Sequence, residues 1–199
     1  MAVKRFFLDT EFAEDGRVID LISIGLVCED GRELYTESLD ANLKAANDWV
    51  KQNVVPQLWR WQKGNHWYRD GGFGGLLTRG NIRRCVQDFI GEVTNPGQVE
   101  IWGYYADYDW IAFCQLFGRM VDLPSGYPMY CRDLKQWSEQ LGSPKLPEHV
   151  EGEHHALLDA RWNKQAWEFL SHLDLKRKPP DSSVGIYDEG PKEFIEEDK

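Results

Sequence analysis

Asp9 and Glu11 stand two residues apart in Phe6-Phe7-Leu8-Asp9-Thr10-Glu11-Phe12, at the end of an apolar run that predicts a buried strand. Side chains at i and i+2 of a strand share a face, so two carboxylates sit side by side where they repel and are costly to desolvate. Such a pair either shares a proton or holds a divalent cation; a strand end fraying into solvent is the ordinary alternative. Two further places add acids. Tyr104-Tyr105-Ala106-Asp107-Tyr108-Asp109-Trp110 joins a strand to a helix, and ligand sites in open α/β sheets gather at the C-terminal ends of strands. Asp107 suits an N-cap there, while Asp109 suits either a favourable first-turn charge or a ligand. Glu153-His154-His155-Ala156-Leu157-Leu158-Asp159 adds two acids and two histidines. Five residues along one helix would turn His154 about 140° away from Asp159. The two converge only if His154 lies on the loop before the helix, which Gly152 favours; otherwise they are a surface histidine and a solvated acid.

Four carboxylates in one cleft need cations to stay ionised, and hard oxygen donors suit Mg²⁺ or Mn²⁺ rather than zinc. Two such ions roughly 4 Å apart clamp an in-line displacement at phosphorus, one activating water and the other stabilising the leaving oxygen. A histidine titrating near neutral pH is the natural general base for that water.

These side chains need elements to position them. Residues 3–9 predict a first strand, 18–28 a second and 32–38 a third, with Glu29-Asp30-Gly31 turning a hairpin. Residues 41–52 read as helix. The stretch 54–77 is glycine-rich and lacks a period, so it reads as a long loop. Its Trp59, Trp61 and Trp67, with Arg60, Lys63 and Arg69, suit either nucleic-acid contacts or packing onto the sheet. Helices follow at 79–93, 107–117, 133–141 and 155–173, with a strand at 99–103 and an extended piece at 129–131. Three antiparallel strands followed by alternating helices and strands predict an α/β sheet of mixed order.

A length of 199 residues predicts one domain, here residues 1–175, followed by a polar tail from 176 to 199. From 181 onward that tail carries seven acids against Lys192 and Lys199, which marks it as a mobile extension with little bearing on activity. The formal charge of −10 argues against a protein that coats nucleic acid by bulk electrostatics, although gripping a few terminal nucleotides does not require a basic surface. No apolar run reaches membrane-spanning length, and the N-terminus lacks a signal-peptide pattern. Cys28, Cys85, Cys114 and Cys131 are scattered, as reduced core cysteines of a cytoplasmic protein are.

Asp9-Thr10-Glu11, Asp109 in Ala106-Asp107-Tyr108-Asp109, and His154 five residues before Asp159 occur in the order seen in DEDDh 3′–5′ exonucleases, which the chain resembles over residues 3–172. Its Phe-Phe-Leu-Asp-Thr-Glu-Phe opening and the Cys-Gln-Leu after the second motif are most similar to the compact stand-alone exoribonucleases, relatives of oligoribonuclease and ribonuclease T. The resemblance implies a ribonuclease H-like mixed sheet flanked by helices. It implies that Asp9, Glu11, Asp109 and Asp159 bind two divalent cations, with His154 as the base. His155 and Asp107 compete for two of those places, but only His154 and Asp109 have the family positions. Phe12 resembles the residue that meets the 3′-terminal nucleotide, and Trp110 is a second candidate for substrate contact. The asparagine common four residues before the second-motif acid is Tyr105 here. The implied activity is Mg²⁺- or Mn²⁺-dependent release of 5′-mononucleotides from the 3′ end of short or single-stranded RNA, by a homodimer. A DNA-trimming exonuclease and an idle nucleic-acid-binding module are the alternatives.

Overall fold

The computed structural model describes residues 3–62, 73–93, 95, 97–149 and 152–176. Its six strands form one mixed sheet in the order β4-β3-β2-β1-β5-β6. β1 (Lys4–Glu14), β2 (Ile19–Cys28) and β3 (Glu33–Ser38) are antiparallel neighbours. β5 (Val99–Gly103) runs parallel to β1, and β6 (Arg132–Asp133) parallel to β5. The mixed α/β sheet expected from the sequence is therefore found. The hairpin turn between β2 and β3 is also found, with Gly31 at φ 92°.

Several elements differ from expectation: the helix expected over 41–52 begins only at Asp48, as α1 (Asp48–Asn53), and the extended piece expected at 129–131 is found as β6 at 132–133. β1 does not stop at Asp9 but continues to Glu14, because β2 pairs with it from Phe6 to Glu14, across a register shift between Glu11 and Phe12. β5 pairs only with Lys4–Phe7, so the acids sit in mid-strand yet just beyond the end of the parallel neighbour. The glycine-rich stretch is also more than a loop. It holds α2 (Trp59–Gln62) and an edge strand, β4 (Phe73–Leu77), parallel to β3. Gly74 and Gly75 conceal this strand from any alternation of apolar residues, and the free edge of β3 supplies its hydrogen bonds. Residues 63–72 of that stretch, including Trp67, and the tail beyond Lys176 lie outside the described residues.

Strand alternation sorts β1 between two cores. Phe6 and Leu8 face α3 (Arg79–Ile90) and α4 (Asp107–Phe117), packing with Ile82, Phe89 and Phe113. Phe7 faces the long last helix, α6 (Ala156–Lys176), packing with Ala156, Leu157 and Ala160. Asp9 and Glu11 follow Phe7 in parity, so they lie on the α6 side. Gly25 of β2 stands opposite Asp9, and a Cβ there would overlap the Ala156 carbonyl. The missing side chain lets the start of α6 lie on the sheet. Asn163, almost fully buried, then donates from Nδ2 to the Leu8 carbonyl at 2.9 Å, tying α6 to the backbone just before Asp9. Arg161 adds a two-pronged ion pair to Glu33 at 2.7 Å.

A buried carboxylate anchors the segment that leads from β3 towards β4. Glu37 is wholly buried and accepts from the Tyr35 hydroxyl at 2.9 Å, the Trp59 N–H at 2.6 Å and Arg60 Nε at 2.5 Å. Tyr35 and Trp59 in turn enclose His155, with Tyr35 stacked on its ring at 4.4 Å. The tryptophan of this pair thus packs onto the sheet, as one of the two alternatives held. Removing one partner of a buried ion pair strands the other charge, which costs about 3–5 kcal/mol. Glu37→Ala is expected to lower unfolding free energy by about that amount in urea titrations; a loss under about 1 kcal/mol would show that Arg60 is not held by this charge.

Candidate active site

Three elements bring the acids together. β1 presents Asp9 and Glu11, the first turns of α4 and α6 present Asp109 and Asp159, and a cleft of about 630 Å³ is lined by all four together with Phe12, Tyr105, His149 and His154. Carboxylate oxygens of Asp9, Glu11 and Asp159 lie within 4.8 Å of one another, a spacing that one cation can bridge. Asp109 is held slightly apart. Its Oδ1 accepts from the Thr10 N–H at 2.8 Å and the Thr10 hydroxyl at 2.6 Å. Thr10 points to the α4 side because it alternates with its two acidic neighbours, so one strand places three of its side chains on this cluster.

Burial and mutual repulsion dominate the electrostatics. Burial, then the charges of Asp109, Glu11 and Asp159, push the Asp9 carboxyl well above the usual carboxylate range. Glu11 is raised in the same way, by burial and then by Asp159 and Asp109. Burial pushes Asp109 up to about 6, against the pull of its two Thr10 hydrogen bonds. Asp159 is raised by burial, with His149 and the His155 N–H acting to lower it. An all-oxygen, strained-to-ionise set of this kind fits a hard divalent cation, whose charge would supply the missing compensation.

The histidines divide their roles. His154 lies on the loop before α6, as its convergence with Asp159 requires, in a left-handed conformation with φ 68°. Its ring meets Trp49 edge-on at 4.8 Å, and it lines the cleft together with Asp159. His155 is buried against Tyr35 and Trp59, away from the cleft lining, although its N–H donates to Asp159 Oδ2 at 3.0 Å. His149, which sequence reasoning missed, approaches closer than either. Its Nε2 is 2.6 Å from Asp159 Oδ1, and its ring stacks on Trp162 at 5.5 Å. It sits in an irregular, proline-flanked loop, where no periodicity signals it. Asn163 and Gly25 were missed as well. Asn163 has a readable signal, since it falls four residues after Asp159 on the same helical face.

Other expected residues fall on either side of the lining. Phe12 joins it and stacks on Tyr108 at 5.6 Å. Trp110 does not: it stacks on Phe113 at 5.3 Å and packs against the α3–α4 core, because three residues along a helix face the same way. Asp107 is exposed in the first turn of α4, outside the cleft.

The raised carboxyls fix a pH dependence. Asp109 has its pKa up from 3.8 to about 6, so without cations its contribution favours the fold below about 3.8 and is lost as pH rises through about 6. Cations reverse this above that value and compete with protons below it. The gain in Tm from Mn²⁺ over a chelator is expected to be small near pH 5 and to grow above about pH 6 in fluorimetric melts. A gain that is flat or largest near pH 5 would remove these carboxyls from cation binding.

The domain model of the Rv2179c-like 3′–5′ exoribonucleases matches residues 4–171. Two Mycobacterium tuberculosis proteins are 36% identical over 177 residues, covering 85% of this chain and 95% of their own length. They are the 3′–5′ exoribonuclease Rv2179c of strain H37Rv and the 3′–5′ exoribonuclease MT2234.1 of strain CDC 1551. The structure of S. pombe Pop2p in its Mg²⁺- and Mn²⁺-bound form aligns over 84% of this chain and 81% of that one, at 13% identity and a TM-score of 0.48. The model match extends over the sheet, the three acidic elements and most of α6. The chain belongs to the Rv2179c-like 3′–5′ exoribonuclease domain family.

Proposed function

We propose that this protein is a divalent-metal-dependent 3′–5′ exoribonuclease that shortens single-stranded or short RNA to 5′-mononucleotides. The observation that carries this is the convergence of Asp9, Glu11 and Asp159 within 4.8 Å, beside Asp109 and His154 in one cleft. The relatives named as 3′–5′ exoribonucleases support the direction and the sugar. Asp9, Glu11, Asp109 and Asp159 are the residues that would hold two ions, Mg²⁺ or Mn²⁺. Bound there, such ions lower the pKa of water and offset the charge developing on the phosphate.

The chain supplies the rest. His154 would take a proton from the attacking water, a role supported by its place in the cleft lining, against Trp49. Phe12 offers an aromatic face to the terminal base at the cleft wall. Trp110 is left to the core. Thr10 holds Asp109, and Asn163 holds the strand carrying Asp9 against α6. The 2.6 Å approach of His149 to Asp159 makes it the competing proton acceptor.

Four free cysteines agree with a reducing compartment, and the cytoplasm is the proposed location. Among the described residues, no helix is long and apolar enough to cross a membrane. A homodimer remains part of the proposal; the exposed Met120, Val121, Met129 and Tyr130 are apolar side chains that such an interface would cover.

RNA labelled at its 5′ end is expected to give a ladder shortening from the 3′ end with Mg²⁺ or Mn²⁺, and none with a chelator. A single internal cut, or cleavage in the chelator, contradicts the assignment; DNA run alongside tests the sugar. His154→Ala is expected to lower kcat by about 10²- to 10⁴-fold while Mn²⁺ binding by calorimetry stays near wild type. Full activity in that variant, with loss in His149→Ala, would move the base to His149.

A further inference from the structure

Among the described residues, three other than glycine have positive φ, and two of them line the cleft: His154 and Tyr105, the latter at φ 54°. For a bulky aromatic residue this backbone is a steric outlier that persists only where the surroundings impose it. Here they do. The Asp133 carboxylate accepts the Ala106 N–H at 2.9 Å, and Gly103 lies so near Ala106 that a Cβ on it would meet the Ala106 methyl at 2.7 Å. The turn between β5 and α4 is thereby held closed around Tyr105.

The strain does not serve burial, because Tyr105 remains 65% exposed. Nor is its ring loose. Tyr104 meets it edge-on at 4.8 Å, Trp162 braces Tyr104 at 5.0 Å and 89°, and His149 stacks on Trp162. A strained backbone thus presents an aromatic ring, supported by a row of rings, to a cleft that also contains the acid cluster.

On the nuclease reading of this cleft, we infer that Tyr105 is a stacking platform for a nucleobase of the single-stranded substrate. An aromatic face accepts every base, because each base has a π-face, and it makes no hydrogen bond to a 2′-hydroxyl. Tyr105 therefore contributes grip without base selection. An amide side chain at this position would instead offer a directional hydrogen bond. Stacking of this kind also adds grip that does not depend on positive charge, in a chain of formal charge −10.

Steady-state kinetics on labelled single-stranded oligoribonucleotides test this. Tyr105→Ala is expected to raise KM by about 5- to 150-fold, the range for losing one base-stacking contact, with kcat within about twofold of wild type. Tyr105→Phe keeps the aromatic face and is expected to restore KM, whereas Tyr105→Asn is not. Tyr105→Gly relieves the positive φ, so its Tm is expected to equal or exceed that of wild type while its KM rises like that of the alanine variant. An unchanged KM in the alanine and glycine variants, a loss confined to kcat, or full restoration by asparagine would overturn the inference. If wild-type protein gives the 3′ ladder and these KM values do not move, Tyr105 alone has been misassigned. If no ladder forms, the nuclease reading fails and this inference with it.

Discussion

Like charges held close together in a buried cleft repel, and the placing of Asp9, Glu11, Asp109 and Asp159 within one is the constraint on which the rest of this structure turns. Burial raises the cost of ionising each carboxyl, and every neighbour raises it further. The fold resists that repulsion with fixed geometry. β2 pairs with β1 through and past the acids, so the strand cannot splay. Thr10 pins Asp109 with two hydrogen bonds, and Asn163 ties α6 to the Leu8 carbonyl. Gly25 removes the side chain that would lift the start of α6, and with it Asp159, from the sheet. The scaffold is organised to keep carboxylates near one another at the expense of local electrostatics, the arrangement expected where a divalent cation supplies the balance.

A second layer of contacts controls the loop before α6. The wholly buried Glu37 fixes Arg60, Trp59 and Tyr35, and the last two grip His155. His154 is the next residue along, in a left-handed conformation against Trp49. One histidine is thus an anchor and its neighbour is offered to the cleft. This explains how adjacent residues of the same type take unlike roles.

The chemistry was more legible than the architecture. Asp9 with Glu11, Asp109, and His154 with Asp159 could be picked out because their order matches the DEDDh pattern, where spacing alone leaves alternatives, and the fold brings all five to one cleft. β4 could not, because Gly74 and Gly75 carry no alternating pattern and the strand exists only through pairing with β3. β1 runs past the apolar stretch because Asp9 and Glu11 replace the apolar residues that mark a buried strand. Trp110, the second candidate for substrate contact, instead stacks on Phe113 at helical spacing and packs against the core, outside the cleft lining. His149 depended on the path of an irregular loop, which only the folded chain reveals.

Anomalous diffraction from crystals soaked in Mn²⁺ decides whether these carboxylates form a cation-binding centre. Strong anomalous peaks are expected in the cleft, within coordination distance of Asp9, Glu11 and Asp159, with Asp109 at the margin of the same site. An empty cleft in crystals grown above about pH 7, where protons no longer compete, would contradict such a centre, as would manganese bound only to other surface acids.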